Sequence, residues 1–179
     1  PTVALVGYTN AGKSTLFNRL TETRDAVVDP TSGVTRDRHY GKAEWTGCEF
    51  SVIDTGGYTV NSEDVFEEEI KNQVELAIEE ATTIVFLNDV TTGITDHDEA
   101  IANILRKTDK PILTVANKVD TNDRIVQASE FYSYGLGEVY CVSASNGGGS
   151  GDLLDALVET FPAKTPETED DLPRIAVVG

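Results

Sequence analysis

Gly7-Tyr8-Thr9-Asn10-Ala11-Gly12-Lys13-Ser14 fits the pattern G-x-x-x-x-G-K-[ST]. It lies between an apolar run, residues 2–6 (TVALV), and residues 13–20, where Leu16, Phe17 and Leu20 recur at helical spacing. A strand, a glycine-bearing loop and a helix in that order decide the fold. The pattern arises by chance in roughly one chain of this length per hundred, and a plain glycine-rich turn would carry the same letters. The chemistry explains the spacing. Glycines let backbone N–H groups converge on phosphate oxygens, and the first helical turn adds its positive dipole end. Lys13 would reach the β and γ phosphates and the Ser14 hydroxyl would ligate Mg²⁺, with Thr15 beside them. A triphosphate and its metal are expected together.

Outward from this loop, apolar runs alternate with helical stripes. Residues 42–45 and 49–54 flank a Thr46-Gly47-Cys48 turn and read as a hairpin. Val65, Ile70, Val74, Ala77, Ile78 and Ala81 trace a helix. Residues 83–87 (TIVFL) and 112–116 (ILTVA) are strands buried on both faces, with Ile101, Ile104 and Leu105 marking a helix between them. Residues 139–142 and 153–161 supply a last strand and helix. The alternation predicts a mostly parallel α/β sheet with one antiparallel strand at its edge. Residues 22–41, mixing charges with Pro30, Gly33 and Gly41, read as a long functional loop.

The chain has 179 residues, 39% apolar and 25% charged, which is enough for one folded domain. Its formal charge of −17 disfavours direct binding of nucleic acid or an anionic membrane. Residues 63–80 hold eight carboxylates and Lys71, read as the solvated face of a helix. No run approaches the ~18 apolar residues of a membrane span, so a soluble cytoplasmic protein is expected. Cys48 and Cys141 read as buried packing residues, and His39 and His97 as solvent-facing or hydrogen-bonded. The chain opens at Pro1 and holds no methionine, so an excised or engineered segment is expected.

Two further motifs complete a site. Asp54-Thr55-Gly56-Gly57 ends an apolar strand in the pattern D-x-x-G, which would place a carboxylate beside the metal and a glycine N–H beside the γ-phosphate. Thr35 would offer a second hydroxyl to Mg²⁺, with Thr31 and Ser32 as rivals, in a loop that orders on the triphosphate. Asn117-Lys118-Val119-Asp120 follows a buried strand at its carboxyl end, where open α/β sheets bind ligands. The Asp120 carboxylate matches guanine N1–H and N2–H, a pair that adenine lacks; a capped turn rich in Asn and Asp would look the same. Ser143-Ala144-Ser145 would add backbone N–H groups to the guanine oxygen.

These motifs in this order resemble the translation-factor class of small GTPases. In detail the chain resembles the first G domain of the bacterial tandem GTPase Der (EngA). The residues that carry the likeness are Gly33-Val34-Thr35-Arg36-Asp37-Arg38, Tyr40-Gly41-Lys42-Ala43-Glu44-Trp45, Asp54-Thr55-Gly56-Gly57, Asn117-Lys118-Val119-Asp120 and Gly151-Asp152-Leu153-Leu154. The resemblance implies a P-loop NTPase fold in three layers, slow GTP hydrolysis, and a role in assembly of the large ribosomal subunit. It divides the chain into a G domain at 1–161, an acidic linker at 162–172, and the opening strand of a second G domain at 173–179. Pro173-Arg174-Ile175-Ala176-Val177-Val178-Gly179 nearly repeats Pro1-Thr2-Val3-Ala4-Leu5-Val6-Gly7.

Some residues depart from the Der pattern. Tyr8-Thr9-Asn10-Ala11 is more similar to the GTPase HflX, and Asn88-Asp89 and the 147–151 glycine run also differ. Tyr58 stands where Ras-like enzymes carry the glutamine that orients water, and an aromatic ring cannot do that work. GTPases similar to Der use K⁺ instead, held partly by a P-loop asparagine, and Asn10 has the matching position. The resemblance thus makes Lys13, Asn10, Thr35 and Gly57 the catalytic candidates.

Overall fold

Strands rich in Val, Ile, Leu and Ala need cover on both faces, and the helices between them supply it. The computed structural model describes residues 1–21, 39–56 and 63–163, with backbone alone for 63–67. The elements run β1 (Thr2–Gly7), α1 (Lys13–Thr21), β2 (His39–Trp45), β3 (Cys48–Asp54), α2 (Glu63–Glu80), β4 (Thr83–Asp89), α3 (Asp96–Leu105), β5 (Ile112–Asn117), α4 (Asn122–Gln127), a 3-10 helix (Ala128–Tyr134), β6 (Val139–Cys141) and α5 (Ser150–Thr160). Six strands form one sheet in the order β2-β3-β1-β4-β5-β6. Only the edge strand β2 is antiparallel, to β3; every other pair is parallel.

Alternate residues of each strand go to opposite faces, which separates two cores. Val3 and Leu5 of β1, Val85 and Leu87 of β4 and Val115 of β5 pack with Leu16, Phe17 and Leu20 of α1 and Leu153 and Leu157 of α5. Ala4, Val6, Ile84 and Phe86 pack on the other face with Ile70, Val74 and Ala77 of α2 and Ile101, Ala102 and Leu105 of α3. Glu68, Glu69, Glu75, Glu79 and Glu80 of α2 are exposed, as a solvated acidic face requires.

The structure corrects the sequence reading in several places. β2 starts at His39, inside the expected loop, because its register is set by β3, with His39 opposite Asp54. β1 and β5 each run into the motif that follows, and β4 extends to Asp89, since Gly7 pairs with Leu87 and Asp89 with Asn117. α4 and the 3-10 helix were not expected at all. Ile125 and Val126 are exposed, so α4 shows no buried stripe. Ala128, Phe131 and Tyr134 are buried at every third position, the 3-10 period, and that spacing was the signal available. Cys48 and Cys141 are half-buried free thiols, and Cys141 packs against the second core. His39 is exposed beside Phe17, and His97 stacks on Tyr8 with ring centres 4.6 Å apart.

Tyr134 anchors the 3-10 helix by donating its hydroxyl to Asn88 Oδ1 at 2.8 Å, and Asn88 Nδ2 donates to the Phe86 carbonyl at 3.2 Å. Burial pushes the Tyr134 phenol well above its ordinary range, so it stays a donor. On β5, Thr114 Oγ1 is buried with no partner among the described residues. A buried hydroxyl left unpaired costs ~1–3 kcal/mol, so Thr114→Val, which keeps the branched shape, is expected to stabilise the fold by about 1 kcal/mol. The midpoint of urea unfolding checks this; an unchanged or lower midpoint contradicts it.

Candidate functional site

The loops after β1, β3, β4, β5 and β6 gather at the carboxyl ends of the parallel strands, where an α/β sheet presents its crevice. A cavity of about 500 Å³ opens there, lined by Thr9, Asn10, Gly12, Lys13, Ser14, Thr15 and Lys118. That volume lies within the ~300–1,000 Å³ of small-molecule sites.

The loop between β1 and α1 is bent by left-handed backbone at Asn10 (φ 68°) and Gly12 (φ 98°). At Gly12 a Cβ would stand 2.1 Å from Asn117 Nδ2, so this position admits only glycine. Lys13 is buried and its Nζ donates to the carbonyls of Gly7 at 2.7 Å and Tyr8 at 3.1 Å. An ammonium has three N–H donors, so one remains for a ligand. Burial pushes the Lys13 ammonium down to about 8, against the opposing pull of the Asp54 and Asp98 carboxylates.

Ser14 at the start of α1 donates its hydroxyl to Asp54 Oδ2 at 2.9 Å, and Gly56 N–H donates to Asp54 Oδ1 at 3.0 Å. A hydroxyl and a carboxylate converging in this way form an oxygen donor pair suited to Mg²⁺. Thr55 turns away from the cavity and donates to the Leu5 carbonyl at 2.8 Å, tying β3 to β1.

Asn117 joins three segments. Its Nδ2 donates to the Ala11 carbonyl at 2.8 Å and its Oδ1 accepts from Ala144 N–H at 3.0 Å. Lys118, with φ 66°, sends its Nζ to the Asn10 carbonyl at 2.8 Å and to Asp89 Oδ2 at 2.7 Å. Burial opposes the charge on Asp89, but hydrogen bonds from Lys118 and Thr91 outweigh it and hold the carboxyl below its usual range. Asp120 accepts from Ser143 Oγ on one oxygen and from Arg124 Nη1 at 3.0 Å on the other. Val119 packs against the second core and its N–H donates to the Val142 carbonyl at 3.0 Å.

The structure therefore brings together Gly7 to Thr15, Asp54 to Gly56, Asn117 to Asp120 and Ser143 to Ser145. Tyr8 faces α3 through its stack on His97. Thr35, with its rivals Thr31 and Ser32, and Gly57 and Tyr58 lie outside the described residues. Asp89, Arg124 and Arg19 belong to the site's framework but were not found from the sequence. Arg124 follows a short motif that does not include it, Asp89 ends an apolar strand with no motif of its own, and Arg19 lies within a helix with no pattern of its own.

A phosphate loop, the Asp54 end of β3 and an Asn-Lys-x-Asp loop at one end of this sheet define a P-loop GTP-binding domain. The chain belongs to the family described as 50S ribosome-binding GTPase, whose model matches residues 2–118. Among curated relatives, GTPase Der of Christiangramia forsetii is 58% identical over 177 residues, 99% of this chain and 41% of that protein. GTPase Der of Flavobacterium johnsoniae is 59% identical over 179 residues, again 99% of this chain and 41% of the relative. The chain thus spans well under half the length of these relatives. Among solved structures, a variant of Era from Aquifex aeolicus bound to GDP and AlF4⁻ matches with a TM-score of 0.73 and 28% identity, covering 96% of this chain and 60% of that one.

Proposed function

We propose that this chain is a GTP-binding and slowly GTP-hydrolysing switch domain. The observation that carries the reading is Asn117, which ties the phosphate loop at Ala11 to the base-side turn at Ala144. Triphosphate and guanine would then sit on one rigid frame. Residues 7–15 cradle the phosphates, with Lys13 donating to the β and γ oxygens. Ser14 and Asp54, with Thr35 in the loop form, would hold Mg²⁺, which neutralises charge developing on the phosphates. The Gly57 N–H reports the γ-phosphate, next in the chain to Gly56, whose own N–H is held by Asp54 Oδ1, and flanked in sequence by Thr55 and Tyr58. Asn117, Lys118, Val119 and Asp120, with Ser143, Ala144 and Ser145, select guanine. Water attacks the γ-phosphorus, the bond to the bridging oxygen breaks, and GDP and inorganic phosphate leave.

The domain plan follows the same reading: a G domain at 1–161, a linker at 162–172 and the start of a second G domain at 173–179. A family described by 50S ribosome binding, and relatives named GTPase Der, support large-subunit assembly as the setting, and the reading places that work in the cytoplasm. No helix among the described residues is long and apolar enough to cross a membrane. A single-turnover assay tests the reading: release of phosphate from bound GTP at ~10⁻⁴–10⁻² s⁻¹ supports it. Binding without turnover would make this chain a nucleotide-binding regulatory module instead.

K⁺ at Asn10 would supply the charge that an arginine finger otherwise brings. Asn10 lines the cavity with its side chain exposed, which supports this role. Hydrolysis is expected to be at least about 10-fold faster in K⁺ than in Na⁺, and Asn10→Asp is expected to remove the difference. Equal rates in the two salts overturn it.

Lys13 also sets a pH dependence. Free Lys13 loses its proton around pH 8, whereas a bound polyphosphate keeps it charged. Binding therefore takes up a proton as pH rises through that value, and affinity falls above it. Calorimetry at pH 8 in buffers of different ionisation enthalpy is expected to show about half a proton taken up per GDP, and near zero at pH 6.5. No uptake at pH 8 contradicts the assignment.

A further inference from the structure

Arg19 stands on α1, the helix that begins with Lys13, yet its guanidinium reaches the far side of the site. Its Nε donates to the Ala144 carbonyl at 2.5 Å and its Nη2 to the Ser145 carbonyl at 2.9 Å. The turn is shaped around it. Gly147 has φ 88°, and a Cβ there would come 2.9 Å from Arg19 Nη1.

In a trans peptide the C=O and N–H of one amide point in opposite directions, and the described residues contain no cis bond. Holding the Ala144 carbonyl therefore aims the Ser145 N–H away from α1, and holding the Ser145 carbonyl does the same for the Asn146 N–H. Neither N–H has a hydrogen-bond partner among the described residues, whereas Ala144 N–H is taken by Asn117 Oδ1 at 3.0 Å. The same turn borders the base-reading carboxylate, since Ser145 Oγ lies 3.3 Å from Ser143 Oγ, which in turn meets Asp120.

We propose that Arg19 is a positioning residue for base recognition, holding two carbonyls so that the Ser145 and Asn146 N–H groups face the 6-oxo group of guanine. It rests on the guanine reading of Asp120 above. It also makes α1 common to both ends of the nucleotide, gripping phosphate at its first turn and orienting the base turn at Arg19.

Arg19→Gln removes the charged fork and keeps a good helix former. Affinities are measured by calorimetry for GDP, for 6-thio-GDP and for tripolyphosphate, all with Mg²⁺. In 6-thio-GDP a poorly accepting sulfur replaces the oxygen, while N1–H and the 2-amino group remain for Asp120. The unaltered chain is expected to prefer GDP. In Arg19→Gln, GDP affinity is expected to fall about 10-fold, 6-thio-GDP less than about 2-fold, and tripolyphosphate not at all. Arg19→Lys, with a point charge in place of a fork, is expected to lose about 3-fold for GDP alone, and it carries the test should Arg19→Gln not fold. Equal losses for GDP and 6-thio-GDP, or no loss for GDP, overturn the proposal. If the unaltered chain binds GDP and 6-thio-GDP equally and Asp120→Asn leaves GDP affinity unchanged, the guanine reading beneath the proposal falls instead.

Discussion

Lys13→Ala is expected to abolish tight binding of GDP and GTP, with affinity lost by about 10²–10³-fold or more. The substitution strips the one cation buried in the phosphate loop. Its remaining N–H is the donor that a β or γ oxygen would meet. The folded state should survive. Burial already disfavours the Lys13 charge, so its removal relieves a desolvation cost while freeing two loop carbonyls. Circular dichroism and the melting temperature of the nucleotide-free chain check that point. Calorimetry with GDP and GTP checks the rest, and an unaltered affinity would remove the phosphate-loop assignment.

Asp120→Asn is expected to exchange base preference, with GTP weakened by about 10²-fold or more relative to XTP. A carboxylate accepts from both guanine N–H groups. An asparagine amide still accepts N1–H but offers N2–H of guanine a donor, whereas it suits the 2-oxo group of xanthine. In this structure both oxygens of Asp120 are already engaged, by Ser143 Oγ and Arg124. The acceptor geometry is thus set before a base arrives, and in the proposed complex guanine would take the place of the half-buried Arg124. Competition between GTP and XTP decides it, and a mutant that still prefers GTP contradicts the assignment.

The phosphate loop was legible because its chemistry is local: glycines, a lysine and a serine within eight residues, flanked by a strand and a helix. The same holds for the Asn-Lys-x-Asp loop, which follows a continuous apolar run. Helix α4 and the 3-10 helix were not legible, because one has no buried stripe and the other repeats every third residue. Helix Glu63–Glu80 stood out for the opposite reason, with Ile70, Val74 and Ala77 buried beneath an acidic face.

The amino-acid order by itself determined the strands, the helices α1, α2, α3 and α5, their mostly parallel arrangement and the four motifs proposed to carry phosphate and base chemistry. These follow from spacing along the chain. Only the tertiary structure decided that Asp89 holds Lys118, that Arg124 and Ser143 hold Asp120, and that Arg19 holds the turn at Ala144. Such partners are not all near in sequence. Arg19 and Ala144 stand 125 residues apart, and nothing in the identity of either reports the other. What brings them together is the parallel sheet, which delivers the ends of β1, β5 and β6 to one edge and leaves their polar groups to pair across it.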